Sequence, residues 1–518
     1  MKTYQKLFLT VNRLSPETII SLLAVYFASV LNLPFSQRIY QLAGDSHFLF
    51  SLTPTLLLTA CFVIIFSLIY SFVSGRIFKP FMIFLLITSA SAMYASLQYQ
   101  IVFDYSMIEN IFETNPGEAF SYLNAQSILA VLILGVLPAI WLFNVEIIAP
   151  SSWYIGLFRR VVLMLIGVVI IVLLALFFYK DYASVGRNNK YLNKMINPAH
   201  FYNSVKYLNK RYLSTPLPYK QQGLDATISV ANNEKPTLLV LVLGETARSQ
   251  NMAYNGYPRN TNPYTQDQGI ISLQKVASCG TATAHSVPCM FSSLSRSEYN
   301  REKANAQDNI LDVLSHAKVD ITWFENDGGD KGIAKNITKH EISKNKSNPL
   351  CDSNSCYDEV LIEQLTAHLK QQIGSLESAP PKHHLITLHT MGSHGPTYWN
   401  RYPKDKEVFT PACRRSDIEN CNDQEIVNVY DNTLVYTDYI LSLVIARLQD
   451  YSEQYNVAML YLSDHGESLG ENGLYLHGTP YALAPQEQTQ VPWFMWLPKQ
   501  YLRSTKYRSP MPRRKCQK

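Results

Sequence analysis

Five apolar stretches in the first third of the chain limit its possible folds more than any other feature. They run over Ile19–Leu33, Phe48–Val73, Pro80–Leu97, Ile128–Ile148 and Val161–Phe178, and they are nearly free of charge. Each approaches or exceeds the ~20 residues that cross a bilayer as a helix. One such run also suits a buried core helix, but five in succession point to membrane spans. The first is not read as a cleaved signal peptide, because no small-residue cleavage site follows it before the second. The same runs explain why only 16% of the 518 residues are charged, which is low for a soluble protein.

Loop charges orient these spans. Lys2, Lys6 and Arg13 precede the first, Arg76 and Lys79 separate the second from the third, and Arg159 and Arg160 separate the fourth from the fifth. The loop between the third and fourth carries Asp104, Glu109, Glu113 and Glu118 and no basic residue. The positive-inside rule therefore puts the N-terminus in the cytoplasm, and five crossings put everything after Lys180 outside it. Cysteine usage gives the same answer. Of eight cysteines, Cys61 lies in the second span and Cys516 near the end, while Cys279/Cys289, Cys351/Cys356 and Cys413/Cys421 form three close pairs. None has the CxxC spacing of a zinc site, so disulfides in an oxidising, periplasm-like compartment are expected.

A domain division follows: 1–180 as the membrane domain, 181–235 as a bridge, and 236–518 as an outer domain. Tyr and Lys/Arg are interleaved through Tyr191–Tyr212. That pattern suits a helix at the membrane surface and equally a solvated linker helix. Thr215-Pro-Leu-Pro218 reads as an extended connector. In the outer domain, Thr237–Leu243, Leu385–Leu388 and Val457–Leu462 look like buried parallel strands,. Helical patterns over Asn309–Ala317, Glu359–Ile373 and Ile426–Leu448 separate them. Such alternation predicts a mostly parallel sheet sandwiched by helices, with the ligand site beyond the carboxyl ends of the strands.

Chemistry-bearing residues cluster at those strand ends. Glu245 follows Leu238–Gly244, and Asp464-His465-Gly466-Glu467 follows Val457–Ser463. Two acids and an imidazole, with a fourth oxygen, make a donor set for tetrahedral Zn²⁺. Thr283, in Cys279-Gly-Thr-Ala-Thr283-Ala-His-Ser-Val-Pro-Cys289, leads into a helix-like stretch and is the candidate nucleophile. A free Thr hydroxyl is weakly nucleophilic, and a dication and a helix N-terminus both activate it. Thr281 is the rival nucleophile. Helix capping is the alternative role for both Thr283 and Glu245. His394 and His477, flanked by Gly, can bind phosphate, move a proton or hold a second metal ion. Lys331, in a Gly-rich loop, can pair with a phosphate.

Taken together, the motifs resemble the phosphoethanolamine transferases that modify lipid A, the family that includes the mobile colistin-resistance enzymes. The resemblance rests on Leu243-Gly-Glu245-Thr-Ala-Arg, the Cys279–Cys289 motif, Gly392-Ser-His394-Gly-Pro, Ser463-Asp464-His465-Gly-Glu467-Ser-Leu-Gly and His477-Gly. It implies five transmembrane helices followed by an alkaline-phosphatase/sulfatase-like domain. It also implies a catalytic zinc on Glu245, Thr283, Asp464 and His465, with a second ion left open. Thr283 would accept the phosphoryl group, and Lys331, His394 and His477 would handle phosphoethanolamine. Asn110, Thr114 and Glu118 would hold the donor head group; they would share a helix face only if the helix ran through Pro116. The implied partners are phosphatidylethanolamine, lipid A and the bacterial inner membrane, with the enzyme a monomer. One departure is His285, where many relatives carry Tyr. Another is the tail: the eight basic residues from Lys499 onward exceed the whole net charge of +5. The basic balance is therefore not a nucleic-acid-binding surface, and no nucleic-acid partner is expected. The alternatives are a hydrolase of the same superfamily, a transferase with another donor or a glycan acceptor, and a non-catalytic relative. A sulfatase would need Cys/Ser-x-Pro-x-Arg, whereas the run here is Thr283-Ala-His-Ser-Val.

Overall fold

A computed structural model describes residues 13–43, 48–73, 75–114, 119, 123–189, 191–228, 235–352, 355–373, 382–498 and 501. Contacts divide the chain into two units, Met1–Ile108 with Leu123–Ser214, and Glu109–Tyr122 with Thr215–Lys518.

The first unit is helical. Ser15 caps α1 (Pro16–Tyr26), its hydroxyl accepting from Thr18 N at 3.2 Å, and the helix continues through a π-turn at Phe27–Leu31. The first apolar stretch, Ile19–Leu33, falls in a helix pair bent by 56° between Pro16–Leu31 and Leu33–Leu42, where α2 (Leu33–Ala43) begins. Two causes are local. Pro34 has no N–H to continue the ladder and suits the first turn of a new helix. Buried Asn32 donates to Phe27 O at 2.9 Å and accepts from Asn197 N at 2.8 Å, which satisfies the backbone at the break,. Four further helices are long and apolar enough to cross a membrane. These are α3 (Phe48–Phe72), α4 (Gly75–Tyr99), α6 (Ala125–Asn144) and α7 (Trp153–Asn188). Among the described residues the count is thus four single spans, or five with the bent pair as one; α7 itself is kinked at Phe178. Between α4 and α6 lies α5 (Tyr105–Glu113). Phe27, Phe62, Phe66, Phe78 and Met82 pack the interior of this unit. The apolar side chains Leu165, Leu176 and Phe177 of α7 remain exposed, as lipid-facing residues do. Beyond α7, helical turns at Leu192–Met195 and Ala199–Leu208 pack with the same unit.

The second unit is built on a seven-stranded sheet. Its strands are β1 (Thr237–Gly244), β2 (Ile271–Ala277), β3 (Asp320–Glu325), β4 (Thr338–Glu341), β5 (His384–His389), β6 (Asn456–Ser463) and β7 (Gln490–Trp496). Their order across the sheet is β2-β7-β6-β1-β5-β3-β4. The run β6-β1-β5-β3-β4 is parallel, and β7 is antiparallel to both its neighbours. The central strands are apolar on both faces because helices cover both. α8 (Thr283–Phe291) and α9 (Ile310–His316) bring Val287, Phe291 and Leu311 against Leu243, Ile321, Trp323 and Leu385. Asn309 caps α9 in a capping box with Asp312,. α10 (Glu359–His368) and the long α11 (Asp423–Gln449) bury Leu361, Leu365, Tyr430 and Leu434.

Candidate active site and metal centre

Strand pairing sets up the site. β1 and β6 are parallel neighbours in the register Gly244 to Ser463, so Glu245 and Asp464-His465 leave the sheet side by side. The Asp464 N–H donates to Gly244 O at 3.0 Å and keeps them there. α8 starts at Thr283, and its cap residue is Ala282, with no side-chain capping bond. The Thr283 hydroxyl is therefore not used in capping. It donates to Glu245 Oε2 at 3.0 Å and lies 3.3 Å from His465 Nε2. Thr281 is directed elsewhere, its hydroxyl donating to Thr479 O at 2.7 Å. Glu245 caps no helix either; the next helical turn, Ser249–Asn251, has Arg248 as its cap residue.

These residues fit a metal ion. His465 Nδ1 bonds Gly466 O at 2.9 Å, so Nε2 presents its lone pair toward Asp464 Oδ2 at 3.4 Å and Glu245 Oε1 at 3.5 Å. Asp464 Oδ1 accepts from Thr246 N and His465 N. Its Oδ2 is buried with no hydrogen-bond partner, a costly state that a cation would relieve. Ligand atoms of Glu245, Asp464 and His465 lie within 4.8 Å of one another. Burial and the charge of Glu245 push Asp464 well above the usual carboxylate range. Glu245 is held well below that range, burial notwithstanding, by His465, His394 and His477. Burial brings His465 down to about 4 against the pull of Glu245, which keeps the imidazole neutral, as a ligand must be. Gly466 is needed for this geometry: a Cβ there would sit 2.1 Å from Glu487 O.

The other expected site residues are distributed unevenly. His394 Nδ1 bonds Glu245 Oε1 at 3.0 Å. Gly392, at φ +50°, brings the His394 turn onto β1; a Cβ on it would meet Glu245 O at 2.6 Å. His477 Nδ1 bonds Glu467 Oε2 at 3.1 Å. Burial opposes its protonation, but Glu467 outweighs this and raises the His477 pKa. Its ring lies 5.5 Å from that of His394 and 4.6 Å from that of His465. Lys331 follows β3 at φ +50°. Its carbonyl accepts from Arg301 at 2.9 Å, and its charge acts on buried Asp327. In the segment between α4 and α6, α5 ends at Glu113. Thr114 lies just beyond it, donating to Asn110 O at 2.7 Å, and Glu118 lies outside the described residues. The pairs Cys279–Cys289, Cys351–Cys356 and Cys413–Cys421 are all disulfides, and the first brackets Thr283. His285, on the first turn of α8, packs edge-on against Tyr299 at 4.8 Å.

Sequence reasoning missed Glu325, Asp327 and His389. Glu325 is buried and drawn down to about 2, because His389, Gly328 N and Trp323 outweigh its burial. In turn Glu325 and Asp327 push His389 up to about 9 against burial. Burial and Glu245 raise Asp327 to about 7. The signal that marked Glu245, an acid or His at the end of an apolar strand, applies equally to His389 and to Glu325-Asn326-Asp327.

A mostly parallel sheet with acids, an imidazole and a hydroxyl at its carboxyl edge defines a sulfatase-type catalytic domain, here in a chain with several apolar, membrane-length helices. A sulfatase family model matches residues 237–512, and one for phosphoethanolamine transferase EptA/EptB matches 58–212. Phosphoethanolamine transferase EptA of Escherichia coli K12 is 38% identical over 490 residues, which cover 93% of this chain and 87% of that protein. Phosphatidylethanolamine transferase Mcr-1 of Escherichia coli is 37% identical over 94% of this chain and 90% of its own. The solved lipooligosaccharide phosphoethanolamine transferase A of Neisseria meningitidis superposes with a TM-score of 0.88 at 33% identity, over 95% of this chain and 90% of that one. The chain belongs to the phosphoethanolamine transferase family.

Proposed function

We propose that the enzyme transfers phosphoethanolamine from phosphatidylethanolamine to a phosphate of lipid A, through a phosphothreonine on Thr283. The observation that carries this reading is the Thr283 hydroxyl, at the start of α8 and within 3.3 Å of both Glu245 and His465. The names of the relatives support the two substrates: one is a phosphatidylethanolamine transferase, the other acts on lipooligosaccharide. On this reading the apolar helices lie in the bacterial inner membrane, and the catalytic unit works in the periplasm as a monomer, where disulfides persist.

Glu245, Thr283, Asp464 and His465 would hold one Zn²⁺, which lowers the pKa of a hydroxyl and offsets charge on phosphoryl oxygens. The Thr283 hydroxyl gives up its proton as its oxygen attacks phosphorus. The bond from phosphorus to the diacylglycerol oxygen breaks, and diacylglycerol leaves with a proton. A lipid A phosphate oxygen then attacks the phosphothreonine, and the Thr283 oxygen leaves and is reprotonated. His477, its pKa raised by Glu467, can donate to a phosphoryl oxygen or to the leaving group. His394, bonded to Glu245, is assigned the same work, and Lys331 is assigned to phosphoryl charge. Asn110, Thr114 and Glu118 are assigned to the donor head group. The product carries less negative charge, so cationic peptides such as polymyxins bind it less well.

The test is mass spectrometry of lipid A and of the Thr283 peptide from a strain expressing the full chain. Added phosphoethanolamine on lipid A, and on Thr283 in the trapped enzyme, is expected, with both lost in Thr283→Ala. Unmodified lipid A, or transfer that survives Thr283→Ala, would overturn the proposal.

A further inference from the structure

Glu245 belongs to a second buried cluster. Its ligand atom and those of Asp327 and His389 also lie within 4.8 Å of one another. The sheet places them together: β1, β5 and β3 are consecutive neighbours. Glu245 follows the first, His389 ends the second, and Asp327 lies two residues past the third. His389 is prepared as a ligand. Its Nδ1 bonds Glu325 Oε2 at 2.8 Å. Glu325 is itself fixed by the Trp323 indole N–H at 3.0 Å and by Gly328 N at 2.9 Å. A carboxylate on one imidazole nitrogen orients the other toward a metal in many protein sites. Here that other nitrogen, Nε2, is buried without a hydrogen-bond partner on a side chain that is 0% exposed. It faces Asp327 Oδ2 at 3.8 Å, too far for a hydrogen bond,.

We propose that Glu245, Asp327 and His389 form a second divalent-cation site, with the Glu245 carboxylate bridging it to the site at Thr283. Two carboxylate oxygens and one imidazole nitrogen suit Zn²⁺, with water completing four ligands. Ligand atoms on a tetrahedral zinc stand ~3.3 Å apart, given bonds of ~2.0 Å, so modest side-chain rotation closes the cluster on an ion. Such an ion fixes the Glu245 carboxylate from its second side. The site differs from one built on His394 and His477, and it rests on the proposed function only through Glu245, the ligand it shares with the ion at Thr283. The ion-free alternative is an imidazolium bridging Glu325 and Asp327.

The experiment counts zinc per chain by elemental mass spectrometry on the full-length protein in detergent, after equilibration with zinc and removal of the excess. Two equivalents are expected for the wild type. One is expected for His389→Gln and one for Asp327→Asn, both close in shape to the native side chains, with melting curves confirming that they fold. Asp464→Asn combined with Asp327→Asn should hold none. One equivalent in the wild type would overturn the proposal. So would a second equivalent that survives both His389→Gln and Asp327→Asn, or one that is lost in His394→Ala/His477→Ala and kept in Asp327→Asn. The phosphothreonine assay above reads the transfer reaction separately, so either conclusion can fail alone.

Discussion

The Ser286 hydroxyl donates to the Asp464 carbonyl at 2.6 Å. One bond thus ties the first turn of α8, which carries Thr283, to the end of β6, which carries Asp464 and His465. The same oxygen accepts from Gly280 N at 3.2 Å, so it also anchors the loop that enters the helix.

Ser286→Ala leaves a buried N–H and a buried carbonyl unsatisfied. A loss of ~1–3 kcal/mol is expected, read as a lower melting temperature. Because Thr283 shifts relative to the strand ends, kcat should fall by about 10- to 100-fold with KM little changed. Equal losses in a remote buried Ser→Ala control would argue against a positioning role.

Chelation should abolish transfer and lower the melting temperature, and added zinc should restore both. At zinc 100 times Kd the bound state gains ~2.7 kcal/mol. The comparison is with Asp464→Asn, whose melting temperature should rise less on adding zinc than that of the chelator-stripped wild type. A chelator that leaves activity intact would remove the metal from the reaction.

Asp308 provides a pH-dependent test of the fold away from the site. It accepts from the Tyr219 hydroxyl at 2.6 Å, from Gln222 N at 2.9 Å and from His316 at 2.9 Å, joining the entering connector to the start of α9. Burial raises its pKa, but the bonds from Tyr219, His316 and Gln222 outweigh this and lower it. With a lowered folded-state pKa, its stabilisation is complete above the unfolded value of ~3.9 and is lost as pH falls through the folded value. Asp308→Asn should therefore lower the melting temperature at pH 7, and the gap to wild type should shrink on acidification below that unfolded value. A gap independent of pH would contradict it.

Much of the site was readable because its residues sit next to strong patterns. The apolar runs before Glu245 and before Asp464-His465 mark buried strands, and their ends are where a parallel sheet presents ligands. Thr283 was marked by the bracketing cysteines and the helix-like stretch after it. The bend at Asn32 was not readable, since half of it depends on bonds to Asn197, 165 positions away. Nor was the grouping of Glu245, Asp327 and His389, since it follows from strand order and not from spacing.

By itself, the order of amino acids determined which segments are apolar enough for membrane or sheet, and which acids, histidines and hydroxyls follow them. Hydrophobic periodicity and composition act locally and need no knowledge of neighbours. Tertiary structure alone decided that Thr283, not Thr281, meets Glu245 and His465, and that His389 keeps a buried nitrogen turned toward two carboxylates. Both outcomes depend on which strand lies beside which and on how a helix start is tied to a strand end. Those choices are made by packing and by hydrogen bonds between residues far apart in the chain.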